Sequence, residues 1–207
     1  AAVMAGWYAV QVGFFGSTMS ALFPNGGIIT SQYVAAFWGG ILMMVTAYMG
    51  YKGLNILSYI AVPSIAILSV VGVCVAVKGS GGWNAIMNLV PPKPMTISAS
   101  IVAIVGSFAG GAAAQSDITR YAKDAKTSWL GTVFGYLIAN TFVILAGYLI
   151  TAATGESDPP VAFLAMGLGV AALLILILAQ WTTNDNNLYT ASLGLSNCLP
   201  FSKHKIV

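Results

Sequence analysis

Charge is the scarcest commodity in this sequence. Asp, Glu, Lys and Arg together make up 6% of its 207 residues, against about 25% in a soluble domain. A chain so poor in charge cannot clothe a water-facing surface, which excludes an ordinary soluble globular protein. Histidine is scarcer still: one residue, His204, in the basic tail "SKHKIV". With no nucleophile–base pair and no cluster of metal-ligating side chains in the sequence, an integral-membrane enzyme is not expected. The two cysteines, Cys74 and Cys198, stand far apart in apolar or end segments. They read as small buried residues rather than as a disulfide or a metal pair. The net charge of +3 is small, and no basic run is interleaved with aromatics. Nucleic acid is therefore not an expected partner.

Apolar residues are what the chain has in abundance. They make up 58% of it, and mean hydropathy is +0.86. They come in runs of about 20, the length of a membrane-crossing helix, rather than in the ~10-residue alternating segments of a barrel. The expected class is an all-α, multi-pass membrane protein, with the lipid bilayer as its surroundings. Residues 1–207 read as one transmembrane domain with six spans, at about 3–23, 31–50, 54–77, 97–121, 128–152 and 167–197. Pro63 falls inside the third span, and a short amphipathic lead-in near 160–166 precedes the sixth. The stretch "KGSGGWNAIMNLVPPKP" reads as an irregular loop because Gly and Pro cluster in it. Lys52, Arg120, Lys123, Lys126, Lys203 and Lys205 all fall in alternate loops, six of the eight basic residues. Those loops are therefore assigned to the inner side, and the first span runs from inside to outside. The chain starts without an initiator Met and stops abruptly, so a piece of a longer protein is expected.

Three of the spans carry chemistry. In span four, "GSFAGGAAAQSD" puts Gly106, Gly110 and Gly111 beside Ser107 and Phe108. Each glycine costs about 1 kcal/mol in a helix interior. Two readings are open: a helix broken at membrane depth, which exposes backbone groups to a cavity, and close packing through small residues. Asp117 and Arg120 are expected to form an interfacial ion pair at the inner mouth. In span one, Trp7 and Gln11 are four apart and Phe14 is three further on, with Phe15 adjacent. An amide with aromatics suits a flat heterocycle, because Gln both donates and accepts and rings sandwich a planar ligand. A helix–helix hydrogen bond from Gln11 among core aromatics is the other reading. Span six runs without a turn signal into "QWTTNDNNLY". Thr182 and Asn186 are four apart there, as are Thr183 and Asn187. Uncharged hydroxyl and carbonyl oxygens suit a weakly held monovalent cation, whereas Mg²⁺ and Ca²⁺ sites usually include carboxylates. Asp185 is the one acid well inside an apolar region. It is expected either to be functional or to bond nearby Asn or Tyr donors and fix the helix.

Taken together, "VQVGFFG", "VGSFAGGAAAQSDITRYAKDAK" and "WTTNDNNLYTASLGLSN" resemble the nucleobase–cation symport family, and its cytosine-transporting members most closely. The resemblance implies a LeuT-type fold of two inverted five-helix repeats, with these six spans corresponding to helices three to eight and span four broken at the midplane. It implies a plasma-membrane secondary transporter, a monomer, that takes up a nucleobase such as cytosine with Na⁺, or H⁺, as the coupling ion. A purine, hydantoin or allantoin-type ring, an amino-acid symporter of the same fold and a non-transporting receptor are the alternatives. On the same resemblance, the base would be held by Gln11, Phe14, Ser107, Phe108, Gly110, Gly111 and Asn184. Sodium would be held by Thr182, Thr183 and the carbonyl of Ala179. The helices outside this chain would supply the rest of both sites, so the piece alone is not expected to transport.

Overall fold

A computed structural model describes residues 1–49, 51–89 and 94–200, leaving out the side chains of Tyr51, Lys52, Ser107 and Ala113. Lys93, Lys203, His204 and Lys205 lie outside the described residues. Among those described there is no strand. The helices are α1 (Ala2–Leu22), α2 (Gln32–Tyr48), α3 (Tyr51–Gly79), α4 (Trp83–Met87), α5 (Ile97–Thr119), α6 (Ala125–Val133), α7 (Asn140–Thr154), α8 (Pro159–Ala165) and α9 (Gly169–Ser196). Residues Phe134–Ala139 continue α6 into α7 in a wider, π-helical turn. Among the described residues, three helices are long and apolar enough to cross a membrane: Gly53–Gly79, Ile97–Thr119 and the continuous Ala125–Thr154.

Local chemistry sets the helix ends. Asp124 accepts from the Thr127 amide at 2.7 Å and caps α6, and Thr96 caps α5 in the same way through Ala99. Each cap satisfies an amide that has no partner inside its helix. Gly155 stops α7 in the left-handed region (φ +73°), which a residue with a Cβ adopts only with strain. Pro63 is accommodated within α3 without ending it. The loop expected to be irregular contains the one-turn helix α4. The lead-in before the sixth span is α8, separate from α9.

α9 is the hub: it packs against α1, α2, α3 and α8. α1 and α2 approach closely because glycines face side chains at their crossing. A Cβ on Gly39 would strike the Phe15 ring, and one on Gly16 would strike the Gln32 carbonyl. Phe15, 2% exposed, fills that space and meets Trp38 edge-on with centroids 5.3 Å apart. A second core joins Leu68 and Ala76 of α3, Ile150 of α7, Ala162 and Phe163 of α8, and Ala172 of α9. At one end of the bundle Met4, Ala114 and Ala191 meet. The Ser17 hydroxyl donates to Asp158 towards the opposite end of α1. Arg120 reaches Tyr189 near the Ala191 end.

The break expected in span four is absent. α5 is helical from Ile97 to Thr119 through all three glycines. Gly110 serves close approach instead: a Cβ there would come within 2.8 Å of Val3 and 3.2 Å of Met4 on α1, whereas one on Gly106 would meet nothing within 4 Å. Unwinding inside a bilayer strands backbone groups that then need partners. The helical cost of a few glycines is smaller than that of several unpaired amides.

Candidate functional site

Gln11 and Phe14, one turn apart on α1, line a cavity of about 330 Å³. α9 supplies Ala179, Gln180 and Thr183 to it, and α3 supplies Ser69. Apolar side chains of α3, α7 and α8, Phe163 among them, complete the wall. The volume sits at the small end of ligand pockets, which run from about 300 to 1,000 Å³. The wall is mostly apolar with a few convergent polar groups, an arrangement suited to a small, flat, uncharged molecule. Another concavity, lined by Ile41, Met44, Val45 and Tyr48 of α2, is almost wholly apolar.

The three oxygens expected to bind sodium are gathered on one turn of α9. The Ala179 carbonyl accepts from Thr182 Oγ1 at 3.0 Å and from Thr183 Oγ1 at 2.8 Å. Such back-bonds are common for Thr in helices, so the grouping follows from the i, i+3 and i+4 spacing. The donor set, two hydroxyls and one carbonyl, carries no net charge and fits a monovalent cation. Three oxygens from one turn cover only one side of an ion, so another element must supply the remainder. Among the described residues no group of three His, Cys, Asp or Glu side chains could hold a metal.

The other candidates are placed elsewhere. Asn184 is 0% exposed; its amide donates towards Met43 Sδ of α2 at 3.1 Å. A ligand reaches it only if α2 and α9 separate. Phe108 and Gly111 face Tyr136, at a ring-centroid distance of 5.9 Å for Phe108 and through a 2.9 Å bond from the Tyr136 hydroxyl to the Gly111 carbonyl. Gly110 abuts α1. The Ser107 side chain lies outside the described residues. Trp7 is 36% exposed and does not line the cavity.

Two expected pairings are replaced. Asp185 does not bond its Asn or Tyr neighbours; its Oδ1 accepts from Thr46 of α2 at 2.7 Å. Trp181 Nε1 donates to the same Thr46 oxygen at 2.7 Å. Asp185, Thr46 and Trp181 thus clamp α9 to α2, the acid finding its donor across a helix interface rather than along its own helix. Arg120 does not pair with Asp117. Its guanidinium donates to Tyr189 at 2.8 Å and to Tyr121 at 3.0 Å, because α9 brings the Tyr189 phenol to the turn after α5, where Tyr121 already lies. Gln180 Nε2 donates to Thr18 Oγ1 at 3.0 Å, tying α9 to α1. Thr18, Thr46, Ser69 and Tyr136 were not singled out from sequence. For Thr46, Ser69 and Tyr136 a hydroxyl in an apolar run is a visible signal, but its partner is not.

The sequence matches, over residues 1–206, the family described as permease for cytosine/purines, uracil, thiamine, allantoin. It is 34% identical over 192 residues to the cytosine permease of Escherichia coli strain K12, covering 93% of this chain and 45% of the relative. The cytosine permeases of strains O6:H1 and O157:H7 match with the same figures. The chain thus spans a little under half the length of the curated relatives it matches. No solved structure matches it. The chain belongs to this family of membrane permeases, transporters rather than enzymes.

Proposed function

We propose that the intact protein is a secondary active transporter that takes up a nucleobase, cytosine in the first instance, coupled to sodium by alternating access. The observation that carries this reading is the cavity between α1, α3, α7 and α9, where Gln11 and Phe14 meet Ala179 and Thr183. Gln11 offers the donor and acceptor that a base edge requires, and Phe14 and Phe108 offer ring faces. Phe108, Ser107, Gly110 and Gly111 of α5 do not line this cavity and would complete the base site from outside it. Sodium, a co-substrate rather than a resident cofactor, would be held by Thr182, Thr183 and the Ala179 carbonyl. The lack of a carboxylate among these ligands favours a monovalent ion. Asn184 joins the base site when α2 moves off α9, which makes its exposure part of the transport cycle. The protein works in the plasma membrane as a monomer. Cation and base each raise the affinity of the other by the same factor.

The test is uptake of labelled cytosine by the full-length protein in a transport-null host. Gln11→Ala lowers uptake by about tenfold, the effect of one lost buried hydrogen-bonding partner. Thr183→Ala removes the dependence of uptake on sodium. Unchanged uptake in Gln11→Ala, Phe108→Ala and Asn184→Ala alike defeats the site assignment. Sodium-independent uptake by the wild type, replaced by a dependence on the proton gradient, defeats the choice of ion.

A further inference from the structure

The π-helical turn between α6 and α7 has no part in the cavity, yet its side chains are aimed with care. Thr132 and Tyr136 are four residues apart, as are Gln115 and Gly111 on α5. The two helices run antiparallel and pair these residues in register. Gln115 Nε2 donates to Thr132 Oγ1 at 2.9 Å, and the Tyr136 hydroxyl donates to the Gly111 carbonyl at 2.9 Å. Gly111 makes the second bond possible. A Cβ there would sit 3.3 Å from the Tyr136 hydroxyl and 4.0 Å from Phe108 Cδ1. Tyr136 then meets the Phe108 ring edge-on, with an interplanar angle of 85°. That is the favoured arrangement for two aromatic quadrupoles. One side chain therefore touches both the ring of Phe108 and the backbone three residues further along α5. A π-helical turn admits one extra residue and is found often at functional sites; here Tyr136 lies within it.

We propose that Tyr136 is a positioning residue: it sets the plane of the Phe108 ring and so determines how well a flat base stacks on it. This rests on the base-stacking role given above to Phe108. The Tyr136 edge fixes the ring's tilt, and the hydroxyl bond to Gly111 fixes the distance between the two helices. Tyr136 itself does not contact the base.

The experiment is a double-mutant cycle on equilibrium binding of labelled cytosine to the full-length protein in lipid. Its arms are Phe108→Ala, Tyr136→Leu, the double variant and Tyr136→Phe. Tyr136→Leu weakens binding threefold to tenfold, the range for a lost edge-to-face pair. In the Phe108→Ala background the same substitution has no further effect, because there is no ring left to position. Tyr136→Phe keeps the edge contact and binds within about twofold of the wild type. Equal loss from Tyr136→Leu in both backgrounds overturns the proposal, since a merely structural residue behaves that way. Unchanged binding in Tyr136→Leu, or a loss in Tyr136→Phe as large as in Tyr136→Leu, also overturns it. Should Tyr136→Leu not fold, Tyr136→Met, closer in volume, takes its place with the same criteria. Phe108→Ala binding as well as the wild type would overturn the stacking role itself, and that failure is visible in the single variant alone.

Discussion

Thr46→Val is the sharpest test of how α9 is held. Valine matches threonine in shape but neither donates nor accepts. The substitution removes two bonds of 2.7 Å, Thr46 to Asp185 Oδ1 and Trp181 Nε1 to Thr46. Asp185 is 0% exposed, and its other oxygen already lacks a partner. After the substitution the carboxyl would have none. Orphaning a buried polar group costs about 1–3 kcal/mol. Interhelical hydrogen bonds measured within bilayers average about 0.6 kcal/mol with a maximum near 1.7, because the unfolded helices also find partners. Two bonds around a buried acid lie above that average, and the expected loss is about 2–4 kcal/mol. Unfolding of the full-length protein in mixed micelles, titrated with denaturing detergent, measures it. Thr46→Ser restores both bonds and costs only the lost methyl, about 0.8 kcal/mol. If Thr46→Val stays within about 0.5 kcal/mol of wild type, or if Thr46→Ser is equally damaging, the clamp does not contribute as argued.

Two further outcomes follow from the packing and the caps. Gly39→Ala drives a methyl into the Phe15 ring and destabilises by about 1–3 kcal/mol; combining it with Phe15→Leu recovers part of the loss in the same unfolding assay. The Asp124 carboxyl is held below the usual carboxylate range by the Thr127 backbone amide and, next, by the Thr127 hydroxyl. Its cap is therefore intact above the ordinary carboxylate value and is lost as pH falls through the lower folded value. The protection factor of the Thr127 amide, its exchange rate taken relative to the intrinsic rate at each pH, should fall on that acid side in the wild type and stay level with pH in Asp124→Asn.

The local part of this fold is legible in the sequence. Apolar runs of membrane length mark the long helices, and the short helix before α9 shows in the change of pattern near residue 167. Legibility failed where partners are distant in sequence. Thr46 and Asp185 are 139 residues apart and Thr18 and Gln180 are 162 apart. No periodicity within one helix can join them, so Asp185 was matched to neighbours on its own helix. Span four failed for another reason. A glycine weakens a helix and also lets another helix approach, and sequence alone cannot separate the two. The contacts of Gly110 with α1 and of Gly111 with Tyr136 separate them here.

Burial divides the polar residues of α9 into two sets. Gln180, Asn184, Asp185 and Asn187 are buried among the described helices, and Gln180, Asn184 and Asp185 have partners on α1 or α2. Any further helix can only add to that burial. These residues therefore fix α9 within the bundle in this conformation, and Asn184 leaves that set when α2 moves off α9. Thr183 is exposed and Thr182 half-buried, and their hydroxyls are satisfied only by their own helix. A Thr that bonds back to its own backbone gains nothing for assembly, and it leaves oxygen lone pairs facing outward. The residues that hold α9 in place and the residues that α9 presents thus alternate along a single turn. Removing a member of the first set should cost stability before it costs ion binding, and removing Thr182 or Thr183 should do the reverse.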